Sequence, residues 1–123
     1  MPRPLSHAHE ENDVFDVCHR LYRGSVVDLL CFRDVAFTAE ILASARPVTE
    51  LGGVRFIRPE LLLVTHLLRP TQTAVIAAVE LIIARRAASD FDEADAAMWA
   101  ERLGKKAAFE KARMLAELTG EGL

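Results

Sequence analysis

The sequence predicts an α+β protein, a small antiparallel sheet of two hairpins with about five helices packed against it. Three observations carry this. Val14 to Phe32 (VFDVCHRLYRGSVVDLLCF) is rich in β-branched and aromatic residues on both sides of Arg23-Gly24, the pattern of a hairpin. Val48 to Ile57 repeats that pattern in short form around Gly52-Gly53. From Pro59 onward, apolar residues return at three- and four-residue spacing, with Pro70 and Gly104 as breaks, the rhythm of successive helices.

In the first hairpin a two-residue loop at Arg23-Gly24 makes facing residues sum to 47: Leu21 faces Val26, His19 faces Asp28, Val17 faces Leu30 and Phe15 faces Phe32. One face then carries Phe15, Val17, His19, Leu21, Val26, Asp28, Leu30 and Phe32, and its apolar excess marks it as the core side. The other face, with Asp16, Cys18, Arg20, Tyr22, Ser25, Val27, Leu29 and Cys31, is mixed. Arg33-Asp34 closes the strand. Ala36 to Ala45 has a helical face of Phe37, Ile41, Leu42 and Ala45, ended by Pro47. The second hairpin joins Val48–Leu51 to Val54–Ile57. Pro59 opens a helix over Glu60 to Leu68 that is apolar nearly all round. Thr71, or Thr73, caps the longest helix, Thr71 to Ala88, whose stripe of Val75, Ile76, Val79, Ile82 and Ile83 predicts the central core helix. Ser89 or Asp90 caps Asp92 to Leu103, Gly104 stops it, and Lys105 to Thr119 turns Ala108, Phe109, Ala112, Leu115 and Ala116 inward.

The 123 residues suit one domain over 13–123, with sheet and first helix in 13–57, helices in 59–123, and a flexible arm over 1–12. A net charge of −3 gives no general attraction to nucleic acid or anionic lipid. Apolar runs are broken by His66, Arg69, Glu80 and Arg85 before the ~20 residues of a membrane span. The N-terminal MPRPLSHAHEEND has no apolar segment of a signal peptide, so a cytoplasmic location is expected. Arg55/Arg58 and Arg85/Arg86 read as solvated element ends. Cys18 and Cys31 lie diagonally on one face, which disfavours a disulfide. His7-Ala8-His9-Glu10-Glu11 has ligand types for a metal but reads as a solvated tail.

The candidate site pairs His19 with Asp28, a general base and its orienting acid, or a structural hydrogen-bonded pair. Ser25 falls on the opposite face from that pair, so no nucleophile accompanies it, and the structural reading is preferred. His66 reads as a core histidine, and Met98 and Trp99 as core or interface residues. The helices 92–103 and 105–118 could mimic a helix-turn-helix, but Glu110, Lys111, Arg113 and Glu117 are mixed in sign where a recognition helix is not.

Three segments, in order, resemble the second half of the nucleotidyltransferase-like (polymerase β-like) superfamily, closest to the minimal nucleotidyltransferases and abortive-infection toxins. SVVDLL (Ser25 to Leu30) resembles the strand bearing that family's third catalytic carboxylate. Phe37 to Leu68, through Ala45-Arg46-Pro47 and GGVRFIRPELLLVTHLL, resembles its following strand and helix. DEADAAMWAERLG (Asp92 to Gly104) resembles the helix after the catalytic core. The family's Gly-Ser and Asp-x-Asp half has no room before Val14, and only Gly24-Ser25-Val26-Val27-Asp28 echoes it. Nucleotidyl transfer needs two Mg²⁺ ions about 3.5–4 Å apart between converging carboxylates. Asp34 is about 20 Å along the strand from Asp28, and Asp16 is on the other face. The resemblance therefore implies a non-catalytic remnant, without cofactor, acting as a homodimer or with a protein partner. Its alternative is a divergent enzyme transferring a nucleoside monophosphate, with Asp28 as metal ligand, Asp28 and His19 as catalytic residues, and Mg²⁺ and nucleotide as cofactors.

Overall fold

A computed structural model describes residues 7–11, 15–69 and 71–121; for 7–11, 15–19, 28, 120 and 121 it describes the backbone alone. The fold is α+β, and it divides into two compact units, 1–38 and 39–123.

The first unit holds β1 (His7–Glu11), β2 (Phe15–Tyr22) and β3 (Ser25–Phe32) in an antiparallel sheet of that order, with β2 central. The β2–β3 register is the one the loop length predicts, from Phe15↔Phe32 to Tyr22↔Ser25. Arg23 (φ 50°) and Gly24 (φ 82°) form the loop with positive φ at both positions, the backbone twist that matches a right-handed hairpin. β1 corrects the reading of 1–12 as a flexible arm: residues 7–11 pair with β2, His9 opposite Cys18 and Glu11 opposite Asp16. Residues 1–6 and 12 of that arm lie outside the described residues.

The supposed core face of the hairpin is also corrected. Leu21 and Val26 are 57% and 72% exposed, and Leu30 is exposed too. So are Tyr22, Val27 and Leu29 on the other face. Phe15 and Val17 have side chains outside the described residues. Period-two alternation tells which residues share a face; it does not say whether a second layer covers that face. At the end of β3, the Asp34 carboxylate accepts a hydrogen bond from the Phe37 amide at 2.9 Å and so caps α1 (Val35–Ser44). Phe37 is fully buried, edge-on to Phe32 with ring centroids 5.2 Å apart.

The second unit begins with a short hairpin, β4 (Arg46–Val48) and β5 (Val54–Phe56). Its register, Arg46↔Phe56 and Val48↔Val54, differs from the one a bare Gly-Gly loop predicts. Thr49–Leu51 coil into a 3₁₀ turn instead of extending β4, and the Gly53 amide closes the loop on the Val48 carbonyl at 3.0 Å. Then follow α2 (Pro59–Leu68), α3 (Gln72–Ala88), α4 (Glu93–Arg102) and α5 (Lys106–Glu121). Pro59 takes the first position of α2 and the Thr71 hydroxyl caps α3 by accepting from the Ala74 amide at 3.1 Å, both as expected. Pro70, the expected break between them, lies outside the described residues. The cap of α4 is Asp92, accepting from the Asp95 amide at 3.1 Å, and not Ser89 or Asp90. Ser89 instead ends α3 in the left-handed region, φ 58°.

These four helices close a core of their own: Leu63 and Leu67 from α2, Ala78 and Ile82 from α3, Ala96 and Ala100 from α4, and Phe109, Ala112 and Ala116 from α5. The most enclosed element is α2, with Leu61, Leu63, Val64, Leu67 and Leu68 buried, and not α3 as the stripe predicted. On α3 the buried line is Ala74, Ala78 and Ile82, while Val75 and Ile76 are exposed. Alanine methyls four residues apart let helix backbones approach closely, and the bulkier β-branched residues are displaced to the flanks. On α5, Leu115 likewise turns outward while Phe109, Ala112 and Ala116 are buried.

Candidate functional site

The backbone register places His19 opposite Asp28, and extends that row across the sheet to Ala8. Both side chains lie outside the described residues. The same-face acid on β1 is Glu10, in the next row with Val17 and Leu30. Two strand spacings and one two-residue step separate it from Asp28, about 12 Å of backbone. Asp34 has a structural duty as the α1 cap. Cys31 is a free, exposed thiol, opposite Asp16 in register. Among the described residues no three His, Cys, Asp or Glu side chains gather to hold a metal, and no helix is long and apolar enough to cross a membrane.

His66 is half-buried rather than sealed in the core. It lines a cleft of about 320 Å³ with Arg69, Thr71, Thr73, Ala74 and Ala77, between the end of α2 and the start of α3. Burial, and then the positive charge of Arg69, hold its imidazole below the usual histidine range. Trp99 is buried and Met98 exposed. Arg113 on α5 pairs with Glu110 at 3.2 Å and approaches Glu93 of α4 at 3.5 Å, so it is engaged within the bundle.

The feature that sequence reading passed over is a second cleft, of about 340 Å³, where β4–β5, the start of α2 and the end of α3 meet. Arg46 of β4, Arg58 before α2 and Arg85 of α3 all line it, with Glu60 and Asp90. Arg58 is the strut of this region. Its guanidinium donates to Asp95, reaches Glu40 at 3.2 Å and lies 3.5 Å from Glu60. Burial works against that charge, but the hydrogen bonds and fields of Asp95, Glu40 and Glu60 outweigh it and raise the pKa. Glu60, itself buried, accepts from the Asp92 amide at 2.9 Å and so ties the start of α2 to the start of α4. Arg85 holds Asp90 at 3.0 Å on the surface. Arg46 is exposed, and its side chain has no hydrogen-bond or ion-pair partner among the described residues.

The three arginines stand 12 and 27 positions apart in sequence, on three different elements, so no local spacing announces them. Their neighbours Arg55 and Arg86 had suggested solvated element ends. Arg55 instead donates to the Ala45 carbonyl at 2.9 Å, and Arg86 pairs with Glu93 at 3.0 Å.

Compared with known proteins, the sequence matches no family model, no curated protein and no solved structure.

Proposed function

We propose that the chain is a nucleotidyltransferase-like domain without the Gly-Ser/Asp-x-Asp half, and that it works by pairing with a second copy of itself through the β2–β3 hairpin. The family part of the reading rests on the order and spacing of SVVDLL, GGVRFIRPELLLVTHLL and DEADAAMWAERLG. The association part rests on one observation: large apolar residues stand open on both faces of the hairpin, Leu21, Val26 and Leu30 on one and Tyr22, Val27 and Leu29 on the other. A nearly unbroken apolar strand is characteristic of sheets covered on both sides.

The sheet's two outer strands differ in the same sense. β1 reads HAHEE, with ionisable residues that discourage further pairing, whereas β3 reads SVVDLLCF, with Asp28 alone to do so. A twofold contact pairs β3 with its own copy. Facing pairs in an antiparallel ladder alternate in hydrogen bonding, so a twofold axis needs facing numbers with an even sum. Centred on Leu29, the register sets Asp28 opposite Leu30 and Val26 opposite Phe32, and the two aspartates are not opposed.

Light scattering over a range of concentrations tests this. The expected mass is twice the 13.6 kDa of the chain, falling to the monomer in the double variant Val26→Lys, Leu29→Lys with its helical circular dichroism unchanged. A wild-type chain that stays monomeric at every concentration sinks the proposal. Calorimetry with Mg²⁺ and nucleotide separates the alternative enzyme. Saturable heat that disappears in Asp28→Ala would replace association by nucleotidyl transfer at Asp28.

A further inference from the structure

We propose that the arginine-lined cleft of the second unit is a binding site for a small organic oxyanion, with Arg46 and Arg85 on the anionic head and Val48, Phe56, Ile57 and Pro59 against an apolar body. The site is independent of the hairpin contact proposed above and lies wholly within residues 46–90.

The cleft's volume of about 340 Å³ is that of a small-molecule pocket. Its walls divide by chemistry. Arg46 and Phe56 are cross-strand partners on β4 and β5, with Val48 two residues along on the same face, so the hairpin presents a guanidinium beside an apolar strip. Arg58 in the floor is saturated by Glu40, Glu60 and Asp95 and has no charge to spare for a ligand. The available positive charge therefore belongs to the other two arginines.

The Arg46 side chain has no hydrogen-bond or ion-pair partner among the described residues. Arg85 has one, Asp90, whose side chain is 54% exposed. An exposed ion pair of that kind is worth little, so an incoming anion displaces Asp90 at small cost. The lining itself, Arg46, Arg58 and Arg85 against Glu60 and Asp90, carries one positive charge in excess, and Glu40 and Asp95, which pair with Arg58, do not line it. Guanidinium groups present planar pairs of donors that match the oxygens of a phosphate or a carboxylate. The half-exposed ring of Phe56 supplies a stacking surface for a planar body, which inorganic anions cannot use.

Calorimetry on the full chain with phenyl phosphate, benzoate and inorganic phosphate tests the proposal. Phenyl phosphate, benzoate or both should bind saturably, and inorganic phosphate roughly tenfold more weakly or not at all. Which of the two aromatic anions binds assigns the head group as phosphate or carboxylate. Arg46→Gln should weaken binding by roughly tenfold or more, because a charge-assisted hydrogen bond is lost. Asp90→Asn should tighten it by roughly threefold, because Arg85 is released to the ligand while the exposed pair contributes little to the fold. Neither substitution touches the buried core, so the melting temperature serves as the control. The absence of saturable heat with both aromatic anions up to about 10 mM overturns the site. So does wild-type affinity in Arg46→Gln, or equal affinity for phenyl phosphate and inorganic phosphate.

Discussion

The two units spend their apolar residues in opposite ways. In the helical unit, modest side chains are sealed completely: Ala78, Ala96 and Ala100 have no exposed surface, and Phe109 nearly none. In the sheet, larger residues such as Leu21, Tyr22 and Val26 face outward. What decides is whether a second layer closes over the residue, and the four helices supply that layer for one another.

Truncation in the core should show the contrast most strongly. Phe109→Ala removes a fully buried ring from the core of the helical unit and should cost about 3–5 kcal/mol. Val26→Ala, on the open hairpin face, should change stability by less than about 0.5 kcal/mol in the monomer. Thermal melts of both variants at a concentration below self-association measure the difference. Equal losses would mean that the hairpin is covered after all.

Next in size is the strut. Arg58→Gln leaves Glu60 buried without its cation and removes the hydrogen bonds to Asp95 and Glu40, a loss of about 2 kcal/mol in chemical denaturation. Arg85→Gln, its neighbour in the cleft but surface-paired, should lose less than about 1 kcal/mol.

The Arg86–Glu93 pair links α3 to α4, and its effect should depend on pH. The hydrogen bond from Arg86, against a smaller opposing effect of burial, holds the Glu93 carboxyl below its ordinary 4.5. A depressed carboxyl pKa contributes stability above the unfolded value and loses it as pH falls through the folded one. Glu93→Gln should therefore lower stability at pH 7 by about 1 kcal/mol and flatten the decline below pH 4.5. An unchanged acid limb of the stability curve would show that the pair contributes nothing.

The smallest effect is spectroscopic. His66 should titrate below 6.5 by NMR, because burial and then Arg69 disfavour its charged form. Its depressed pKa means that stability is present above 6.5 and declines as pH falls through the folded value. Arg69→Gln should move the titration back only part of the way, since burial is the larger cause. A full return to 6.5 would make Arg69 the dominant influence instead.

Local rules were legible residue by residue. The hairpin register follows from a period of two and a two-residue loop with Gly24 at φ 82°. Pro59 and Thr71 announce helix starts because their demands are met within one turn. Asp92 was missed as a cap because Ser89 and Asp90 offer the same chemistry, and only the left-handed backbone at Ser89 decides between them. β1 was missed because HAHEE has no apolar alternation to mark it, and its strand character comes from pairing with β2.

The sequence by itself determined the α+β class, the order of the helices and the pairing of β2 with β3, since each depends on residues close in the chain. Tertiary structure alone decided that α3 is buried along Ala74, Ala78 and Ile82, that Leu21, Val26 and Leu30 on one hairpin face and Tyr22, Val27 and Leu29 on the other are exposed, and that Arg46, Arg58 and Arg85 line one cleft. The physical reason is range. Turn geometry and capping act within a few residues, whereas burial and charge clustering depend on which distant segments fold up alongside, and no local pattern encodes that.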